Sequence, residues 1–209
     1  MKYVFFDPWI GRKYQQGING KRIWILGHVH VCGGCKECGT KSSKDECSQF
    51  TNRVITNYLT WKKNRIFPDD YHWQLTYESF EKAFNGKYLD EKESFDFWDS
   101  IMFSNFVQST VPEWDALPSQ EQYDNSQLAF WEILKEYNPD LIIVWGNPAF
   151  YNTPGENCRE IESLYYDNIS APRWVYELNG HETTMIKIHH PSCFFSWRKY
   201  HEIIKQVIL

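Results

Sequence analysis

The chain has 209 residues, of which 42% are hydrophobic and 18% aromatic, and its formal net charge is −5. This composition excludes a disordered protein, and the acidic balance disfavours a protein that grips long duplex DNA by bulk electrostatics. Because no apolar run is long enough to span a membrane and no signal-peptide pattern opens the chain, we expect a cytoplasmic protein without a membrane partner.

The first half of the chain combines a short apolar run with two helical patterns. Residues 22–26 form a short, mainly apolar run that begins at Arg22 and ends at Gly27, which predicts a buried strand of a parallel sheet. A polar, Gly- and Cys-rich loop over 31–47 follows, with no helical or strand period. Apolar residues at helical spacing then predict helices over 48–61 and 76–85, the second with Thr76 as N-cap and Gly86 as its stop.

The second half of the chain alternates strand and helix patterns more clearly. Its apolar patterns predict a strand over 99–107 and a helix over 128–137 that is capped by Asp124 and Gln127. A buried strand over 141–145 follows and is closed by Gly146. The last elements are a hairpin of 173–178 and 183–189 around Asn179-Gly180 and a terminal helix over 197–207.

This order of elements predicts an α/β fold. We expect a three-layer sandwich around a central, mostly parallel four-stranded sheet with an additional hairpin, forming one monomeric domain over residues 1–209. In such folds ligands bind beyond the carboxyl ends of the strands. The candidate site therefore lies at four strand exits, which are Gly27-His28, Ser104-Asn105, Gly146-Asn147 and His189-His190.

Motifs at and near these exits follow a recognisable order, which is Leu26-Gly27, Phe50, Asn105, Val144-Trp145-Gly146 and His190-Pro191-Ser192. This series resembles that of the uracil-DNA glycosylase superfamily, from about residue 22 to the C-terminus and most specifically in the last third. The resemblance implies a hydrolase that breaks the N-glycosidic bond of a flipped, uracil-type or otherwise altered base in single- or double-stranded DNA.

The resemblance also implies a role for individual side chains. Phe50 would stack on the base, the Asn105 amide would read N3–H and O4, and a neutral His190 would stabilise negative charge on O2. Gly27 and Ser192 complete the base-binding set. Structural roles remain open for all three residues. Phe50 also fits a core position, and Asn105 also fits a turn cap. His190 also fits a structural histidine of a turn, and the neighbouring His189 is the other candidate for its catalytic role.

The chain departs from the family after the first strand. The best-studied branch has Gly-Gln-Asp-Pro-Tyr there, and its Asp positions water, whereas this chain has Val29 at that place. Losing such a charge-stabilising group typically costs about 3–4 kcal/mol of transition-state stabilisation. His28 and His30 are candidate catalytic substitutes, as is a carboxylate at Asp45 or Glu46. The alternative is a catalytically inactive member that binds a nucleobase, a nucleotide or a protein.

Four cysteines lie close together in the polar loop, at Cys32, Cys35, Cys38 and Cys47. They suffice for a closed tetrahedral zinc site, which we predict to be structural. An iron–sulfur cluster fits less well because the last spacing differs from the common ferredoxin run, and free thiols are the remaining alternative. A redox pair is disfavoured because no helix begins at the first cysteine. A zinc- or thiol-centred protein is therefore a further hypothesis.

Overall fold

A computed structural model describes residues 1–32, 45–64 and 72–209 of the chain. The strands of these residues are β1 (Trp9–Ile10), β2 (Ile23–Gly27), β3 (His30–Val31), β4 (Met102–Asn105), β5 (Thr110–Val111), β6 (Leu141–Trp145), β7 (Cys158–Tyr166), β8 (Ile169–Leu178) and β9 (His181–Ile188). The helices are α1 (Asp45–Ser48), α2 (Phe50–Asn64), α3 (His72–Asn85), α4 (Glu91–Trp98), α5 (Gln120–Tyr137), α6 (Asn147–Asn152) and α7 (Trp197–Ile208).

Seven of the described strands form one mixed sheet in the order β1-β4-β2-β6-β9-β8-β7. The four central strands, from β4 to β9, are parallel. Strand β1 is antiparallel at one edge, and β8 and β7 are antiparallel at the other. The α/β class is confirmed, whereas the predicted four-stranded sheet is too small because antiparallel strands extend it on both sides.

The burial of each strand explains whether its sequence predicts it. All five residues of β6 are buried, so the strand is a continuous apolar run. Strand β7 is mostly exposed and carries Arg159, Glu160 and Glu162, so no apolar run marks it. The predicted hairpin is β8–β9, whose turn residues Asn179 and Gly180 both have positive φ, the conformation that Asn-Gly favours.

Helices cover both faces of the sheet. Successive residues of a strand point to opposite faces, so Ile143 and Trp145 pack in one core cluster and Ile142 and Val144 in another. Residues of α2, α3, α4 and α7 belong to the first cluster, and residues of α5 and α6 to the second. None of the described helices is long and apolar enough to cross a membrane.

Two predicted helix starts are wrong. Helix α5 begins eight residues earlier than predicted, because Ser119 and Gln122 form a capping box and Asp124 lies inside the helix. Helix α3 begins at His72, so Thr76 is a buried helical residue rather than a cap. The predicted stop is confirmed, since Gly86 follows α3 with φ +70°.

A buried ion cluster joins three of the helices on the first face. The Lys62 Nζ atom of α2 lies 3.2 Å from carboxylate oxygens of both Glu78 and Glu81 of α3. Glu81 also accepts hydrogen bonds from Ser94 and Trp98 of α4. Burial raises the pKa of Glu81 against the opposing effect of Lys62, so the ammonium group is needed to keep this carboxylate charged.

Replacing Lys62 with Met should destabilise the protein strongly, because it leaves the buried Glu81 charge without its cation. We expect the free energy of unfolding, measured by urea denaturation, to fall by about 3–5 kcal/mol. The matched control is Lys63→Met, since the neighbouring lysine is largely exposed and its ion pair with Glu91 is long at 4.0 Å. The control should change stability by less than about 0.5 kcal/mol, and equal effects would contradict the prediction.

Candidate functional site

The predicted strand exits meet at one edge of the sheet. In the parallel register Gly27 pairs with Asn105, and Trp145 pairs with Ile188. Backbone hydrogen bonds continue past the strand ends, because Phe106 N–H donates to Gly27 O at 3.0 Å and Gly146 N–H to Ile188 O at 2.9 Å. Residues that lie 163 positions apart in sequence, such as Gly27 and His190, are thereby brought to the same edge.

The Asn105 side chain packs directly over Gly27. A Cβ added to Gly27 would lie 2.1 Å from the Asn105 Oδ1 atom, so only glycine permits this approach. Asn105 is 7% exposed, yet its amide makes no hydrogen bond with any described residue. The amide therefore does not cap the following turn, and it keeps both its donor and its acceptor available to a ligand.

Gln108 holds the backbone beneath Asn105, a role that sequence analysis missed. Its Nε2 atom donates to Asn105 O at 3.2 Å, and its Oε1 atom accepts from the N–H groups of Phe5 and Phe6 at 2.9 and 3.0 Å. One buried amide thus ties the strand exit to the N-terminal segment. No sequence signal distinguishes it from a surface glutamine, since Phe5 and Phe6, to which it ties the strand exit, lie about 100 residues away.

His190 is held as one tautomer by the turn that follows it. The Ser192 hydroxyl lies 2.7 Å from Nδ1, and the Ser192 backbone N–H donates to the same atom at 3.3 Å. An N–H group can only donate, so Nδ1 carries the lone pair and Nε2 carries the proton. Burial lowers the pKa of His190 to about 4, and no described residue accepts a hydrogen bond from Nε2. The ring therefore presents a free N–H near neutral pH.

His28 lies on the same edge, near enough to His190 for the charge of that residue to affect its pKa. Its Nε2 atom is 2.8 Å from the Tyr123 hydroxyl, and the two rings stack at 5.8 Å between centroids with 15° between their planes. Burial lowers the pKa of His28 to about 4, with a further contribution from the nearby charge of His190. Sequence analysis missed Tyr123 because it lies on α5, which the predicted helix began too late to include.

His30 and Phe50 form a separate aromatic group with Phe6. The His30 ring lies 4.6 Å from Phe50 and 5.0 Å from Phe6, and its Nε2 atom is 2.9 Å from the Thr51 hydroxyl. Complete burial lowers the pKa of His30 to about 3. Within the described residues no ring contact joins Phe50 to the strand-exit histidines. This placement favours a structural role for His30 over its predicted catalytic one.

The remaining predicted residues are only partly covered by the structure. Val29 is partly buried and packs against the second core cluster, so its side chain does not supply a polar group to the edge. Cys35 and Cys38, and the side chains of Asp45 and Glu46, lie outside the described residues. Cys32 and Cys47 flank that stretch as free thiols. In residues 1–32, 45–64 and 72–209 no group of three metal-binding side chains is found.

Phe194 is a further residue of the site edge that sequence analysis did not single out. It is 95% exposed and has φ +47°, a backbone conformation that a phenylalanine rarely adopts. The turn is closed by a hydrogen bond from Cys193 N–H to His190 O at 3.1 Å. A bulky apolar side chain is therefore displayed beside His190 instead of being buried.

Comparison with known proteins assigns no family to the chain, because no family model matches it and no curated protein matches it significantly. Function must therefore be inferred from the chemistry of the edge itself. That edge, which we call the strand-exit site, consists of Gly27, His28, Asn105, His190 and Ser192 together with Tyr123.

Replacing Gly27 with Ala should force the Asn105 side chain out of its position, since the new Cβ and Oδ1 cannot be 2.1 Å apart. We expect a loss of about 1–3 kcal/mol in the free energy of unfolding, measured in urea. Gly155→Ala is the matched control, because a Cβ there meets no atom within 4 Å. Equal stability of the two variants would show that Asn105 does not pack as described.

Proposed function

We propose that the protein is a DNA glycosylase-like hydrolase that breaks the N-glycosidic bond of a flipped, uracil-type or otherwise altered base. The observation that supports this function most directly is the free hydrogen-bonding capacity of Asn105, on the same edge of the sheet as the free Nε2–H of His190. A base bound there would exchange the solvent contacts of the amide for hydrogen bonds, each of which contributes about 0.5–1.5 kcal/mol net.

Asn105 has the chemistry to select the base. Its amide can accept a hydrogen bond from a ring N3–H and donate one to O4, a pattern that uracil offers and cytosine does not. Because the amide is almost buried against Gly27, it can address only a base that has left its stack and entered the strand-exit site.

His190 has the chemistry to stabilise the leaving base. When the bond from C1′ to the base nitrogen breaks, the electron pair passes to the base and negative charge develops on O2. The neutral ring can donate its Nε2–H to that oxygen without first losing a proton, since Ser192 already occupies Nδ1. Its low pKa keeps it in this form at physiological pH.

Features around the strand-exit site fit an approach by nucleic acid. The exposed Phe194 ring is of the kind that inserts between bases when a nucleotide is extruded. Arg198 lies in the first turn of α7, stacks on Trp197, and forms no ion pair with a described residue. Arg12 and Lys13, by contrast, are engaged with Asp99 and Asp96. A phosphate contact is therefore proposed for Arg198, in single- or double-stranded DNA.

A catalytically inactive, base-binding protein is the second candidate, and Val29 is the observation that favours it. Its side chain packs into the core and cannot orient water or balance positive charge.

Structural zinc remains a separate proposal for the cysteine loop, where Cys32 and Cys47 lie on either side of the stretch that the structure does not describe.

Oligonucleotides carrying uracil, hypoxanthine or other altered bases should acquire abasic sites when incubated with the protein. Strand scission after alkali reports these sites. His190→Ala should lower kcat by about 10²–10³-fold, because it removes the donor to O2. His189→Ala is the matched control, since the neighbouring ring is exposed and lies against Tyr200 instead.

Full activity of His190→Ala would contradict the role of that histidine. No cleavage of any altered base by the wild-type protein, together with measurable binding of the same oligonucleotides, would support the inactive base-binding alternative. Neither cleavage nor binding would reject both functions.

The cleavage rate should be independent of pH from about 5.5 to 8 and should fall as the pH drops through about 4. Both site histidines are neutral above their lowered pKa values. Protonation of His190 at Nδ1 would place an N–H group against the Ser192 N–H, which now donates to that atom, so the turn would lose this hydrogen bond. Single-turnover rates across this range test the prediction. A rate that rises on acidification would show that the imidazolium form is the active one.

A further inference from the structure

Hydrolysis of an N-glycosidic bond requires an acceptor for a proton of water. As the bond to the base breaks, positive charge develops at C1′ and the ring oxygen of the sugar. A water molecule then bonds to C1′ and must lose a proton, so a basic atom has to lie beside it. Val29 provides no such atom, because it is a hydrocarbon packed into the core.

No carboxylate of the described residues forms a hydrogen bond or ion pair with either site histidine. An acidic group beside a histidine raises the pKa of the imidazole. The pKa of His190 is lowered by burial, and that of His28 by burial and then by His190, with no acidic neighbour contributing to either. Among the described residues, the candidates for the acceptor are therefore neutral groups of the strand-exit site, since the side chains of Asp45 and Glu46 lie outside them.

The backbone of His28 is fixed at the strand exit. Its carbonyl oxygen accepts a hydrogen bond from Val107 N–H at 2.9 Å, immediately beyond the pairing of Gly27 with Asn105. The side chain is only partly buried, in contrast to His30, so solvent can reach it. His28 is thus the histidine that combines a fixed position, access to water and proximity to His190.

Tyr123 fixes the ring of His28 in two ways. The stacked ring holds the plane of the imidazole, and the hydroxyl group lies 2.8 Å from Nε2. Tyr123 is itself 8% exposed and stacks on Phe106 at 6.5 Å between centroids. With Nε2 engaged by Tyr123, the atom of His28 that remains for water is Nδ1, which forms no hydrogen bond with a described residue.

We infer that His28 is the acceptor that positions the attacking water through Nδ1, and that Tyr123 is a positioning residue that accepts the Nε2–H of His28. This inference rests on the proposed glycosylase function. The water oxygen bonds to C1′ while its proton passes to Nδ1, and the electron pair of the broken bond leaves with the base. The imidazolium then returns the proton to the departing base or to solvent.

Variants at these two positions test the inference in single-turnover cleavage assays. His28→Leu should lower kcat by about 10²-fold or more with KM unchanged, because it removes only the acceptor for water. His28→Gln should recover part of the rate, since its amide oxygen can accept from water. Tyr123→Phe keeps the ring stack and should lower kcat about tenfold. This is less than the roughly 10²–10⁴-fold of a lost acid–base group, because only the contact that orients His28 is removed.

Tyr137→Phe is the matched control, because it makes the same change at the far end of α5. It should leave kcat unchanged. Wild-type cleavage that persists in His28→Leu would overturn the inference while leaving the proposed function intact. Absence of wild-type cleavage would instead count against the proposed function.

The tautomer of His28 gives a readout that does not depend on activity. Nitrogen-15 NMR of the ring should show the proton on Nε2 and the lone pair on Nδ1 in the wild-type protein, and a mixture of tautomers in Tyr123→Phe. A proton on Nδ1 would overturn the inference even if the enzyme is active, because that atom could not then accept from water.

Discussion

The parallel pairing of β2 with β4 and β6, and of β6 with β9, is the constraint on which the candidate site depends. This register places the four strand exits side by side, although the chain visits them at widely separated points. Because Gly27 pairs with Asn105, the amide can rest on a backbone without a side chain. A shift of one residue in this pairing would turn Asn105 to the other face of the sheet and remove the site.

The strand-exit site keeps its two histidines neutral by burial and holds them through neutral partners. Ser192 determines which nitrogen of His190 is protonated, and Tyr123 orients His28. No described carboxylate raises the pKa of either ring. The consequence is a pair of polar rings that can donate and accept hydrogen bonds near neutral pH without adding positive charge. Together with the Asn105 amide, which makes no hydrogen bond with a described residue, they offer donors and acceptors to a ligand.

Candidate residues close together in sequence have different environments in the structure. His28 and His30 are two residues apart, yet His28 is partly exposed and contacts Tyr123, whereas His30 is buried between Phe6 and Phe50. The sequence presented them as equivalent substitutes for the missing carboxylate. Residues two apart in one strand would point the same way. The two histidines differ because His28 lies just after β2, whereas His30 begins β3, which pairs with β5 in a separate two-stranded sheet. Only the packing of the N-terminal segment, tied down by Gln108, shows which side is the core.

Sequence alone determined the α/β class, the buried strands β2 and β6, and the strand exits that carry Asn105 and His190, because apolar runs and turn residues are local signals. It did not reveal β7, whose charged residues hide a strand paired on one side, or the roles of Tyr123 and Gln108. Those roles depend on contacts between residues about 100 positions apart. The tertiary structure therefore decided which histidine faces the site and which is core, since burial and hydrogen-bond geometry arise only after the strands are aligned.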